Sequence, residues 1–480
     1  KPGEPVRGIR KHLEPQQLAV GVSGGCESIV IGTKLKFEEA RAKRLRKILI
    51  LLDLRNAHNA YKRAAAQRAL EALAATDPSL RPLVLAHHSI SRQNNPIFVR
   101  SSQTETGLQY LCESSAGGGQ GNPLTNIIFP VVIDKALKAA ESNNVEPRAQ
   151  QDDIHLWGDP DEIFGEDGTL ARLLADLKAV GLDPNLTKFQ LLGTTPDACA
   201  NKPAWLTETF IITDPLEAAR VAEAEAAAKD AAAAAKAAPP EEADEANAAA
   251  ATAKEAAKAA LDAVPERLRA KGVWTCGAAI GDDAYVTLKL KELEVKLCGS
   301  GTDADKGELL TIASELAAAD PHAAHAAIQY SLQARVDWVM SVHLPEETRS
   351  LAAAVDRTLR ACYALCFGAD PLDPNGLSES QEDRAFVRDR FALPVRLGGG
   401  GFRPTVERAL FLNTPNNVAP QFLATEQTRG LWPSLDSVFG AGSFNADNAA
   451  TRWDAFYASG SRIALALRSE WGRVQQARKD

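Results

Sequence analysis

The sequence predicts an α+β protein: a small, mainly antiparallel sheet with packed helices, followed by a helical region. Three observations carry this. "KILILLDL" (47–54) is a short Ile/Leu-rich run that ends in an acid, the mark of a strand buried on both faces. "QQDDIHLWG" (150–158) places Asp152 and Asp153 between two apolar stretches and reads as strand, tight acidic turn, strand. From about residue 290 to 370 the windows are Ala-rich and amphipathic, as in "PHAAHAAIQYSLQARVDWVMSV" (321–342), which predicts a helical bundle.

Between these landmarks the order is strand, helix, loop, helix, hairpin, helix, strand. "AYKRAAAQRALEALAAT" (60–76) predicts a helix stopped by Asp77-Pro78. "AGGGQGNPL" (116–124) is a Gly-rich turn that leads into an apolar helix over 125–142, with Pro130 expected to kink it. "GTLARLLADLKAVG" (168–181) is a further helix and "FQLLG" (189–193) a further strand. "GVWTCGAAIGDDAYVTLKL" (272–290) alternates enough to predict one or two strands.

The chain has 480 residues, enough for two or three domains. The stretch 217–261 is low-complexity Ala, Glu, Lys and Asp broken by Pro239-Pro240, and it predicts two exposed helices or a fluctuating linker. It separates an N-terminal unit (1–213) from a C-terminal unit (265–480). No run approaches the ~18 consecutive apolar residues of a membrane span, so no membrane partner is expected. The chain starts without Met or a leader, which reads as a processed or partial product. Seven scattered Cys without a CxxC pair argue against a disulfide framework or a zinc ribbon and for a reducing intracellular compartment, nucleus or cytoplasm.

A net charge of −8 runs against nucleic-acid binding until it is mapped along the chain. Residues 214–262 hold eleven Asp/Glu against five Lys/Arg, so the rest of the protein carries only −2. Within that rest, "FEEARAKRLRK" (37–47) reads as a basic helical run; Arg41, Arg44 and Lys47 are candidates for contact with a nucleic-acid backbone, against the plainer reading of a solvated helix face. Gly21, Gly24 and Gly25 lack the following GK[ST] of a phosphate loop and read as a turn. His322 and His325, and His87 and His88, read as structural rather than metal-binding.

Two adjacent carboxylates at the end of a buried hairpin need a positive partner, because desolvating them alone is costly. Asp53, at the end of a strand that could pair beside the hairpin, adds a third. Such a hard-oxygen cluster suits Mg²⁺, and two such ions can clamp both oxygens of a phosphoryl transfer.

"LLDLRNAHNAYKR" (51–63), "GGGQGNPLTNIIF" (117–129), "QQDDIHLWG" and "GLDPNLTKFQLLG" (181–193) resemble, in order, motifs A to D of reverse transcriptases of the non-LTR retrotransposon type. "GVWTCGAAIG" (272–281) resembles the segment passing from palm to thumb, and "LPVRLGGGGFRP" (393–404) a Gly-rich segment beyond the thumb. The resemblance spans roughly residues 15–415. It implies a right-hand polymerase palm followed by a helical thumb-like domain. On it, residues 1–48 are a truncated fingers remnant, 49–213 the palm, 214–264 the Ala-rich insert, 265–370 the palm-to-thumb strands and thumb, and 371–480 a helical and Gly-rich end.

The resemblance implies an RNA-directed DNA polymerase that works on an RNA template, a DNA primer and dNTPs with two Mg²⁺ ions, or Mn²⁺ in their place. Asp53, Asp152 and Asp153 would be the catalytic metal ligands. Gln120 and Gly121 would approach template and nucleotide, Lys188 the triphosphate, and His58 would stand where the family has a bulky aromatic that excludes a ribose 2′-hydroxyl. Gln150 and Gln151 replace an aromatic-plus-Ala pair, and Asn122 replaces Asp. The alternative is a polymerase-derived scaffold without catalysis. A viral RNA-dependent RNA polymerase is disfavoured, since His58 stands where that group has a second Asp.

Overall fold

The computed structural model describes residues 4–370, apart from 23–24, 92–93, 101–106, 120–121, 240, 301–304 and 369, together with Phe391, Phe402 and Thr405. Helices α1 (Glu4–Leu13) and α2 (Gly25–Ala42) precede the strand β1 (Ile48–Leu52). After it come α3 (Ala57–Ala60), α4 (Arg63–Thr76), α5 (Arg81–Ser91), the hairpin of β2 (Asn95–Arg100) and β3 (Leu108–Ser114), and α6 (Pro123–Ala140). The acidic hairpin is β4 (Val145–Gln150) and β5 (Asp153–Gly158), followed by α7 (Pro160–Phe164), α8 (Thr169–Ala179), β6 (Gln190–Gly193) and β7 (Phe210–Ile212). The Ala-rich segment forms α9 (Pro215–Ala237) and α10 (Ala243–Asp262). Then follow β8 (Arg269–Thr275), β9 (Ala278–Gly281), α11 (Asp283–Cys298), α12 (Gly307–Ala319), α13 (Pro321–Tyr330), α14 (Asp337–Val342) and α15 (Pro345–Phe367).

The α+β class is what the structure shows. Its main sheet runs β4-β5-β1-β6, with β1 antiparallel to both neighbours. All five residues of β1 are buried, and its two faces serve different cores. Ile48, Ile50 and Leu52 pack with Leu70 and Leu73 of α4, Phe129 and Val132 of α6, and Leu173 and Leu177 of α8. Leu49 and Leu51 face Phe37 of α2, Leu192, and Val273 and Ile280 of a second sheet, β7-β8-β9. Double-sided burial explains why the strand reads as a continuous apolar run rather than an alternating one.

The Ala-rich segment is two helices, as one of the two expectations had it. Asp214 caps α9, accepting from the backbone N–H of Leu216 and Glu217 ahead of Pro215. Apart from Val221, neither helix buries a residue. The pair leaves and returns between β7 and β8, which pair directly (Phe210↔Lys271). Its ends are therefore held together by the sheet, and the division at residue 213 falls inside that sheet.

Two expectations are corrected. The run 282–290 is not strand: β9 ends at Gly281 and α11 starts at Asp283, because Tyr285, Val286, Leu290 and Leu297 reach one core with α12 and α15. Gly272 makes room for it, since a Cβ there would lie 2.2 Å from the Tyr285 ring. The window 321–342 is helical as expected, in three pieces: α13, a 3-10 turn (Leu332–Val336) and α14. The basic run 37–47 is helical only to Ala42, and Arg44 takes a left-handed φ of 52°. The hairpin β2–β3 and the start of α6 at Pro123, capped by the Asn122 side chain, were not expected. Residues 371–480 lie outside the described residues save Phe391, Phe402 and Thr405; both rings pack on Tyr363. Among the described residues no helix is long and apolar enough to cross a membrane.

Candidate active site

The C-terminal end of β1 and the N-terminal ends of β5 and β6 meet at one rim of the main sheet. Leu52 pairs with Ile154, so the next position in register sets Asp53 opposite Asp153. Leu51 pairs with Gln190, so Lys188 arrives two residues before β6 at the same rim. Its ammonium lies 3.6 Å from Asp53 Oδ2; Lys188 is two-thirds exposed and Asp53 about one-third. Both, with Asp153, line an open cleft of about 780 Å³ whose other walls include Gln190, Thr209, Cys276 and Lys289. Glu225 of α9 also borders it, so the Ala-rich hairpin reaches the cleft.

Asp153 shows the strain of this arrangement. Although it is exposed to the cleft, the surrounding walls remove enough water to lift its pKa above the ordinary carboxylate value. The charges of Asp152 and Asp53 push the same way, and a hydrogen bond donated by the Cys276 thiol, 3.7 Å from Oδ2, opposes them. The hairpin turn itself is held from outside. Gln151 adopts φ 58°, a conformation most side chains avoid. The buried Gln17 side chain accepts from Gln151 N at 3.0 Å and donates to Gln151 O at 3.1 Å, taking the place of a strand partner.

Carboxylate oxygens are the donor chemistry that Mg²⁺ takes, in sites that combine one or two acids with phosphates and water. The three acids are not gathered into one cage: among the described residues no group of three or more His, Cys, Asp or Glu is placed to hold a metal ion. Asp53 is instead held by this chain's own groups, since Asn185 Nδ2 donates to its Oδ2 at 2.9 Å beside Lys188. Asn185 escaped the sequence reading; its only local signal is a Pro-Asn turn before Lys188.

The remaining candidates spread out. His58 does not line the cleft; its ring stacks on Phe129, centroids 4.8 Å apart, and its carbonyl accepts from Gly118 N. Gly117, at φ 58°, packs against Asn59, where a Cβ would lie 2.3 Å from backbone. The glycine loop thus docks on α3, while Gln120 and Gly121 lie outside the described residues. Lys47 stands at the opposite end of β1, roughly 20 Å from Asp53 at the usual ~3.3 Å rise per residue, with Arg41 at the end of α2 and Arg44 in the turn that leads into the strand. There Arg41 pairs with Asp282 at 3.0 Å, Lys43 with Glu39 at 2.6 Å, and Arg46 with Asp161 at 2.5 Å and Asp197 at 3.5 Å. Beneath the acid rim His155 is fully buried and held near a pKa of about 3 by loss of solvent. It lies 3.1 Å from Thr33 Oγ1 and 2.7 Å from Thr275 Oγ1, joining α2 to β8 as a neutral packing group.

No family model matches the chain, and no curated protein matches it. Among solved structures it is similar to apo telomerase from Candida tropicalis, with a TM-score of 0.32 and 10% identity over 87% of this chain and 58% of that one. It is also similar to telomerase from Candida albicans in complex with a fragment of telomeric RNA, with a TM-score of 0.34 and 10% identity over 92% of this chain and 55% of the other. The chain spans a little over half the length of these telomerase chains. At such scores the likeness leaves the family open, and the chain is described by its own geometry: an α+β protein with an acid-lined cleft at one rim of its main sheet.

Proposed function

We propose that the chain is the catalytic core of an RNA-directed DNA polymerase, transferring nucleotides from dNTPs to a DNA primer on an RNA template. The reaction forms a bond between the primer 3′-oxygen and the α-phosphorus and breaks the bond to pyrophosphate. One observation carries the reading: the strand-end Asp53, the hairpin acid Asp153 and the cation Lys188 share one open cleft, in the order in which the motifs resemble the family. In this reading Asp53 and Asp152 would hold the divalent ions, with Asp153 beside them, in a nuclear or cytoplasmic protein. Bound Mg²⁺ or Mn²⁺ would supply Lewis acidity toward phosphate oxygens. Lys188 carries a proton to the leaving phosphate, and the sheet fixes the directions from which these groups act.

A second reading, a polymerase-derived nucleic-acid-binding scaffold, is favoured by two facts: the described acids form no three-ligand group, and Asp53 is already occupied by Lys188 and Asn185. Primer extension on an RNA template with Mg²⁺ separates them. The polymerase reading requires extension by the full chain that Asp152→Asn abolishes; equal signal, or none from either protein, establishes the scaffold.

A further inference from the structure

We propose that Asn185 is the positioning residue of the cleft, setting the Asp53 carboxylate and the Lys188 ammonium against each other through four hydrogen bonds of one residue. Just past the end of β1 the chain 53–55 pairs with 183–185: Leu54 bridges Pro184, and Arg55 N donates to Asp183 O at 2.9 Å. Within that bridge Asn185 N donates to Asp53 O at 2.9 Å, which fixes the acid's backbone. Asn185 Nδ2 donates to Asp53 Oδ2 at 2.9 Å, which fixes its side-chain rotation. On its other side, Asn185 O accepts from Lys188 N at 2.9 Å, and Asn185 Oδ1 accepts from Thr187 Oγ1 at 3.0 Å. These last two bonds close the short turn that brings Lys188 within 3.6 Å of the same carboxylate oxygen.

The side-chain contact has a direction. Asn offers Asp53 a donor, whereas a carboxylate in the same place would offer only repulsion. One lone pair of Oδ2 is thereby taken, so the rest of the carboxylate is left to face the cleft in a single orientation. Lys188 is exposed and long, and without the turn its ammonium would sample many rotamers. Asn185 thus acts through other groups and not on substrate. Groups that orient a ligating carboxylate commonly change metal affinity or activity by about 10–100-fold when removed.

The inference rests on the polymerase reading, and its test keeps the two apart. Binding of Mn²⁺ to the full chain, read from the electron-paramagnetic signal of the free ion, is measured beside primer extension for wild type, Asn185→Ala and Asn185→Asp. Asn185→Asp keeps the side-chain size and the acceptor for Thr187 but replaces the donor with a negative charge beside Asp53, while Asn185→Ala removes the donor and that acceptor without adding charge. We expect both variants to weaken Mn²⁺ binding by about tenfold or more and to lower kcat by a similar factor, with KM for dNTP within about threefold of wild type. Melting temperature and circular dichroism stay close to wild type for both variants. If wild type extends primers and both variants match it in Mn²⁺ affinity and kcat, this inference is overturned while the polymerase reading stands. If losses in the variants follow only a reduced folded fraction, Asn185 is structural and the inference is likewise overturned. A wild type that neither binds Mn²⁺ nor extends primers overturns both.

Discussion

The two ends of β1 carry opposite charges and treat them differently. At the N-terminal end the cations of the 37–47 run are met by acids: Arg41 by Asp282, Lys43 by Glu39, and Arg46 by Asp161 and Asp197. At the C-terminal end, three acids crowd one rim and Asp53 faces an exposed lysine at 3.6 Å, longer than a hydrogen bond. The first pattern is a balanced surface, whose pairs are each worth about 0–1 kcal/mol. The second leaves Asp153 with a raised pKa, first through the loss of water around it and then through the charges of Asp152 and Asp53. Like charges gathered at the edge of a well-packed sheet, and offset there only by Lys188 and Asn185, mark the acid end, rather than the basic one, as the place where chemistry is expected.

The largest test of that contrast is catalytic. Asp53→Asn keeps the size of the side chain and removes its charge; if Asp53 supplies several kcal/mol to the transition state, primer extension falls roughly 10³-fold. A loss below threefold would erase the distinction between the two ends. Next comes the strand that separates them. Ile50→Ala empties a fully buried site and should cost about 2–5 kcal/mol in urea unfolding. Replacing α9 and α10 with a short Gly/Ser link should move the midpoint far less, because those helices bury little beyond Val221 and their ends are already joined through β7 and β8.

A third test concerns His343, which lies away from both ends and ties the helical region to α2 and β9. Burial, seconded by the Lys34 charge, lowers its pKa to about 4 against the opposing hydrogen bond to Glu347. Its Nε2 accepts from Ala279 N at 3.2 Å. A histidine held neutral in the fold binds its proton more readily once unfolded. Its contribution is therefore full above pH ~6.5 and is lost as pH falls toward 4, by about 3 kcal/mol. His343→Gln should flatten melting temperature against pH in that window; an unchanged slope would mean that His343 does not carry this pH dependence. The smallest effect belongs to the basic end. Alanine at Arg41, Arg44 and Lys47 should reduce the salt slope of RNA binding by about one unit rather than three, since Arg41 is engaged by Asp282 and Lys47 is half-buried. A drop of three would make this end an open nucleic-acid face.

Much of the fold was legible because its signals are local. The Ile/Leu run of β1, the Asp-Asp turn and the Ala-rich helices each declare themselves within ten to twenty residues, and period and length are enough to read them. Residues 282–290 misled because "YVTLKL" alternates like a strand, while the helix is decided by a core assembled from α12 and α15. The hairpin β2–β3 carried no usable signal: its Ile97, Phe98, Tyr110 and Leu111 are exposed, so no burial pattern marks it.

In the site, the chain order of Asp53, the acidic pair and Lys188 could be read directly, and so could the chemistry that their residue types allow. What holds them could not. Gln17 supports the Gln151 turn from 134 residues away, and Asn185 reaches Asp53 across 132. Partners so distant leave no periodic trace in the chain. Which charges are left open and which are neutralised depends on where several such segments come to rest, so the residue pattern could nominate the acids, but only the packed sheet could show that they share one rim and that Asp53 already has two polar neighbours there.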